Sequence, residues 1–357
     1  MDWKQLLNES ENIEVVESGI IGSIEWKHYA NGLLTFSGKG SISDFYYELT
    51  YPGYHDEDHT EYHPYWKSWF GKKVDVPVKY VYIGDGITEI GEGAFKECYI
   101  EEIFIPNSVT KIGDEAFSDN NLKAIKLPDN LESIGHNCFE KSRCLKSLYI
   151  PISVKELGSI GDKYFSTIEE IIVDENNTNY TVVDGILYTA DMTQLLWCPA
   201  TAVGTLNVPS SVKRIDADAF DNCSLLKEVI FSENPIVLGT RCFNNTALHK
   251  LVLPKEVKME HFGIFGVGYH NHPVTWQMVP CETDNLVVYI DKDCTAWDYF
   301  KQKNIQIFGE PVDYNFAVRL VEDEFVTGAK NTAKSNTKVA KKKKDFFEKF
   351  FGNKHNS

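Results

Sequence analysis

The stretch IFIPNSVTKIGDEAFSDNNLKAIKLPDNLESIGHNCF, residues 103–139, decides the fold, because it runs through one pattern almost twice. Ile103, Ile105 and Pro106 are followed by VTKIGDEAF from Val109; Ile125, Leu127 and Pro128 are followed by LESIGHNCF from Leu131, a step of 22 residues. Working outward, ITEIGEGAF from Ile87 lies one step upstream and VKRIDADAF from Val212 is a further copy. VKELGSIGDKYF from Val154 is the pattern with three residues inserted, and PIVLGTRCF ends in a diverged version. Self-similarity at such a period is the mark of a stacked repeat architecture.

Ahead of each copy lies an apolar pattern L-x-x-L-x-L. Its middle residues are Val81, Ile103, Ile125, Leu148, Ile171, Leu206, Val229 and Leu251. They step by 22 or 23, except for one step of 35 between Ile171 and Leu206; a second step of 35 from Leu251 leads to Leu286. Alternating apolar residues put every second side chain on one face of a strand, and that face needs cover. A short strand cannot cover itself. Stacked beside its predecessor, it contributes to a parallel sheet and a shared core. Pro106, Pro128, Pro151, Pro209 and Pro254 end their strands, since proline lacks the ladder N–H. Ile-Gly then predicts a bend on the far side, and the Ala-Phe or Cys-Phe pair a return segment held in the core.

The order L-x-x-I-x-I-P, then V-x-x-I-G-x-x-A-F, resembles the BspA-like leucine-rich repeat over roughly Ile20 to Gly309. The resemblance implies a β-rich leucine-rich-repeat solenoid, with a parallel sheet on one face and short strands and turns on the other. NNTNYTVVDGILYTADMTQLLWCP (Asn176 to Pro199) is similar to that family's elongated unit, with a short hairpin inserted, which accounts for the step of 35. IEWKHYANGLLTFSGKG from Ile24 resembles an N-terminal β cap, with Asn31-Gly32 as its hairpin turn. CTAWDYFKQKNIQIFG resembles a small closing cap of a short helix and a last strand; the bend motif is lost in VKMEHFGIFGVGYHNHPVTWQMVP. The expected organisation is an N-terminal cap with an acidic His/Tyr-rich loop at 1–76, the solenoid at 77–310, a connector at 311–329 and a tail at 330–357. Family members are often implicated in adhesion and most are exported.

The net charge of −16 is unevenly spread, because nine Lys against Asp345 and Glu348 make the tail from Lys330 basic and leave the body more acidic still. Such a body repels nucleic acid. The start, MDWKQLLNESENIEVV, has no basic region followed by an apolar run, so the expectation is a cytoplasmic chain, in tension with the exported members of the family. Cys98 and Cys223 lie three residues after a Phe, and Cys138 and Cys242 directly before one. Recurrence at matching positions predicts core filler rather than disulfides.

No nucleophile elbow, phosphate loop, H-E-x-x-H or dinucleotide fingerprint occurs, so no catalytic residue and no cofactor is expected. HDEDHTEYH crowds His55, His59 and His63 among carboxylates. Two readings stand: a transition-metal site or metal-dependent enzyme, with His59 and His63 sharing a helix face, or a solvated acidic loop, which Pro52, Gly53 and Pro64 favour. His270 and His272 read as turn residues. Glu101-Glu102 and Glu169-Glu170 recur at solvent-side positions and predict a charged sheet surface rather than acid–base catalysis.

The outward residue of each strand carries more. In order these are Tyr82, Phe104, Lys126, Tyr149, Ile172, Asn207, Ile230 and Val252, mostly apolar or aromatic. Strands about 4.8 Å apart would set them in one line. Such a stripe rimmed by Glu predicts a protein-binding face; the alternatives are cross-strand packing, or cover by the Tyr/Trp-rich N-terminal loop. In the tail, a polar Lys-rich half predicts a disordered linker, and Phe346, Phe347, Phe350 and Phe351 recur at helical spacing after Lys341, Lys342, Lys343 and Lys344. Such an element suits an anionic membrane surface, a partner's groove or the acidic body itself.

Overall fold

The computed structural model describes residues 2–42, 76–142, 144–160, 168–260, 267–270, 277–280, 286–290, 293–296, 304–307, 310–313 and 317–320. The chain divides into two compact units, Met1–Val182 and Val183–Ser357. Each is built of stacked turns with mostly parallel sheets, a β-solenoid of about seven turns in all.

The first unit opens with helix α1 (Trp3–Ser10), whose N-cap carboxylate Asp2 accepts from the amides of Lys4 and Gln5. That capping satisfies donors at the helix start that have no intrahelical partner. An antiparallel meander follows through Val15–Ile21, Ile24–Tyr29 and Leu33–Gly38. Asn31-Gly32 makes the expected turn: Gly32 has φ 81°, and the Asn31 side chain accepts from the Leu33 amide. Leu33–Gly38 continues the same sheet, pairing in parallel with Tyr80–Ile83, which pairs with Glu102–Phe104.

Behind this front ladder runs a back ladder of shorter strands, Gly40–Ile42, Ile87–Ile90, Lys111–Ile112, Ser133–Ile134 and Glu156–Leu157, all parallel. Here Ile-Gly makes its bend, with the Gly113 amide bonded to Ile90 O and the Gly135 amide to Ile112 O. The glycine is needed for closeness: a Cβ on Gly113 would lie 2.6 Å from the Glu92 amide, and one on Gly135 2.3 Å from that of Asp114.

A third row of hydrogen bonds closes each turn. Amides of Gly93, Phe95 and Glu97 donate to carbonyls of Asp114, Ala116 and Ser118, and those of Glu115, Phe117 and Asp119 to His136, Cys138 and Glu140. Glu97, Glu115, Asp119, Asn137 and Lys141 have positive φ in this row, so the return is a left-turning bend rather than a strand. It delivers Phe95, Phe117 and Phe139 into the core as a stack with centroids 5.8 and 6.0 Å apart. The position three residues after each Phe stays small: Cys98, buried Asn120 and buried Ser142. Asn120 accepts from the Ile100 amide and donates to Phe95, Phe117 and Ser118 carbonyls, satisfying main-chain groups that the bend leaves over.

In the second unit the hairpin expected in the elongated repeat is present, Ile186–Thr189 pairing antiparallel with Gln194–Trp197 around a turn organised by Asp191. The front ladder runs Gly204–Asn207, Leu226–Ile230, Lys250–Val252, Val287–Ile290 and Ala317–Leu320; the back ladder runs Gln194–Trp197, Arg214–Ile215, Ile236–Leu238 and Val257–Met259. Phe220 and Phe243 stack at 5.1 Å, the counterpart of the first unit's Phe column.

Four expectations need correction. The front ladder lapses at 122–127, where no strand forms: Ile125 is only half-buried, and Ile103 and Leu148 stand in different sheets. The stacking there is carried by the back ladder, where Ile112 pairs with Ile134. Leu251 is partnered by Val288 and not by Leu286, because the hairpin Val267–His270 with Gln277–Pro280 lengthens the connection beyond that of the first insertion. That hairpin also puts His270 in a strand, opposite Gln277, instead of in a turn; His272 lies outside the described residues. Within 311–329, read as a connector, Ala317–Leu320 extends the front ladder, and Glu310–Asp313 forms a hairpin with Asn304–Ile307.

Candidate functional site: the outward face of the front ladder

The outward stripe splits into three environments. Tyr82 and Phe104 are register partners and stack at 4.9 Å, and the Trp3 ring of α1 sits 6.1 Å from each. The helix thus lies against the first two stripe positions, leaving a cavity of about 490 Å³ lined by Asp2, Trp3, Lys4, Leu7, Tyr82 and Phe104. The cover comes from α1, which the sequence reading missed, although Asp2 ahead of a segment with Trp3, Leu6 and Leu7 was a helix-start signal.

Tyr149 and Ile172 are also register partners, on the parallel pair Ser147–Ile150 and Glu170–Val173, and both are 45% exposed. The Tyr149 hydroxyl donates to Asp174 Oδ2 at 2.6 Å. That bond holds the Asp174 carboxyl below its ordinary range and raises the Tyr149 phenol, so a carboxylate stands at the rim of the apolar pair at neutral pH. Lys146 pairs with Glu169 at 2.6 Å, and Lys123 with Glu101 at 3.3 Å, each across neighbouring turns. The recurring Glu pairs therefore contribute to a charged surface of inter-turn ion pairs, as expected. Lys126 is exposed in the segment where the ladder lapses.

In the second unit Asn207, Ile230 and Val252 are in register as expected, with Tyr289 and Arg319 continuing the row. Asn207 is exposed, but Ile230 and Val252 are 0% and 1% exposed, so these two stripe members are interior. Sequence reasoning missed Tyr289, the stripe's next aromatic, through the misplaced step to Leu286. Lys250 Nζ lies 5.3 Å from the Tyr289 ring centre, a cation–π contact.

Other chemistry is sparse. Among the described residues no group of three or more His, Cys, Asp or Glu could hold a metal ion. His55, His59 and His63 lie outside the described residues, as do Lys341–Lys344 and Phe346, Phe347, Phe350 and Phe351. An open cavity of about 890 Å³ in the second unit is lined by Pro235, Ile236, Val257, Lys213 and Lys258 among others. Its Thr295 hydroxyl is engaged with Val257 main chain, and Asn234 with Ser210 O, so these polar groups serve the fold. Among the described residues six cysteines are buried and Cys144 is exposed, and none of these seven is in a disulfide. No described helix is long and apolar enough to cross a membrane.

Comparison with known proteins agrees with this architecture. No curated protein matches the chain in sequence. A leucine-rich repeat protein from Eubacterium ventriosum, known from its crystal structure, is 24% identical, with 77% of this chain and 78% of that one aligned at a TM-score of 0.56. A leucine rich cell surface protein from Faecalibacterium prausnitzii is 18% identical over 79% of this chain and 90% of that one, at a TM-score of 0.45. Residues 74–182 and 199–266 match the BspA type leucine rich repeat region in six copies. These repeats belong to the BspA-type leucine-rich repeat family.

Proposed function

We propose that the chain is a non-enzymatic protein-binding module whose contact surface is the front face of the first unit around Tyr149 and Ile172. This surface is narrower than the eight-residue stripe. The observation that carries the reading is the pairing of two large apolar side chains, each 45% exposed and held in register on a parallel ladder, beside the Asp174 carboxylate. Rigid exposed apolar area with a charged rim is what a protein partner desolvates first. The repeat family supports binding in general and does not identify the partner.

The test is retention of a partner from extracts of the source organism by the full chain and by the Tyr149→Ser/Ile172→Ser variant. Loss of one protein by the variant, while a Val203→Ser control keeps it, supports the reading; equal retention overturns it. Val203 is 69% exposed, so it controls for any loss of apolar surface.

A second reading rests on the tail alone. Lys341, Lys342, Lys343 and Lys344 beside Phe346, Phe347, Phe350 and Phe351 suit an anionic membrane surface, each Lys adding about 1 kcal/mol of attraction. Co-sedimentation with anionic vesicles should fall when residues 330–357 are removed; equal binding by both forms dismisses it.

A further inference from the structure

Cys198 follows the strand Gln194–Trp197, and Cys223 occupies, in the next turn, the small position three residues after Phe220. Both side chains are buried, at 1% and 0% exposure. The Cys223 thiol lies 3.5 Å from Cys198 O and 3.5 Å from Pro199 O, and Cys198 Sγ is 3.9 Å from that same Pro199 O. The two sulfurs thus converge on one carbonyl. The main chain fixes the approach, since the Cys198 amide donates to Ala219 O at 2.8 Å. At the same slot in the first unit, the Cys98 thiol lies 3.5 Å from the Lys96 carbonyl of its own turn, as Cys223 Sγ lies 3.9 Å from Asp221 O. Packing alone asks for a small side chain there, as Asn120, Ser142 and Thr246 show, and does not require a second sulfur opposite it.

We propose that Cys198 and Cys223 are a covalent modification site: a dithiol that closes to a disulfide, stapling neighbouring turns, by exchange with a low-molecular-weight disulfide such as oxidised glutathione. One protein thiol, as thiolate, attacks a sulfur of the external disulfide and expels one glutathione thiolate. The second protein thiolate then attacks the protein sulfur of the mixed disulfide and expels the other glutathione. The two protons end on the two glutathione thiols; the protein loses two hydrogens and the external disulfide is reduced. The neighbouring Cys198 side chain, with burial, raises the Cys223 thiol. Thiolate is therefore scarce in the closed fold, and exchange proceeds through local opening of the turn or during folding. The staple closes a loop whose ends are 25 residues apart in sequence.

The test uses the full chain carrying Cys144→Ser, which removes the exposed thiol, treated with oxidised or reduced glutathione across a urea series ending below the unfolding transition. The expected product is lighter by two hydrogens, yields a cross-linked peptide pair containing Cys198 and Cys223, and melts on the order of 10 °C higher than the reduced chain. Cys198→Ser and Cys223→Ser should each abolish that product and take up one glutathione instead, while Cys138→Ser should leave it intact. Glutathione adducts without a cross-link at every urea concentration, a cross-link between other cysteines, or a cross-linked chain with unchanged melting would overturn the proposal.

Discussion

In the first unit the outward side chains Tyr149 and Ile172 stand 45% exposed, whereas in the second Ile230 and Val252, at the corresponding register position, are 0% and 1% exposed. All four follow a buried residue on parallel front strands, so strand alternation treats them alike. Alternation fixes which way a side chain points; what is laid over the sheet fixes whether it meets solvent. Tyr82 and Phe104 make the same point within one unit, since Trp3 of α1 packs on them while Tyr149 stays open.

The sharpest way to break this contrast is substitution on the closed side. Ile230→Ser and Val252→Ser remove buried apolar volume and bury a hydroxyl, and each should cost about 3 kcal/mol, read as a lowered urea midpoint. Tyr149→Ser and Ile172→Ser should each cost less than about 1 kcal/mol, and similar losses on both sides would erase the distinction. Next in size is the helix cover. Trp3→Ala should cost roughly 1–2 kcal/mol by removing an aromatic contact with two rings, and should raise chemical labelling of Tyr82. Unchanged stability and labelling would mean that α1 covers nothing.

A smaller effect concerns His28, buried in the meander with Nε2 unpartnered among the described residues. Desolvation lowers its pKa in the fold, so the unfolded chain binds the proton more readily. Its contribution is therefore complete above the unfolded value near 6.5 and is lost as pH falls through the lowered folded pKa. His28→Phe should flatten the loss of thermal stability between neutral and mildly acid pH. An identical acid slope in the variant would remove His28 from the account. Smallest of all, Lys146→Ala breaks an exposed ion pair with Glu169 and should shift stability by less than about 0.5 kcal/mol; a larger loss would mean that inter-turn pairs hold the open face.

Much of the fold was legible because its causes are local. The Ile-Gly bend is written in sequence since adjacent turns leave no room for a Cβ at Gly113 or Gly135, and the Phe column since each return segment needs one large core side chain. The inserted hairpin was implied by the resemblance of Asn176 to Pro199 to the family's elongated unit, which also accounts for the long step. What stayed hidden depends on partners distant in sequence. Ile125 keeps the apolar pattern of a strand, yet no strand forms there. The partner of Leu251 depends on the length of a hairpin whose bend motif has diverged, so Val288 and Tyr289 were missed. The candidate site was half legible: the register row was right, but exposure was not, because neither α1 over Phe104 nor the burial of Ile230 is signalled by the strands themselves.

Hydroxyl-radical footprinting of the free chain, read residue by residue by mass spectrometry, tests the open-versus-closed contrast most directly. The account predicts strong labelling at Tyr149 and Ile172, weak labelling at Ile230 and Val252, and loss of the Tyr149 signal when a binding partner is added. Comparable labelling at all four positions, or a Tyr149 signal indifferent to the bound partner, would contradict it.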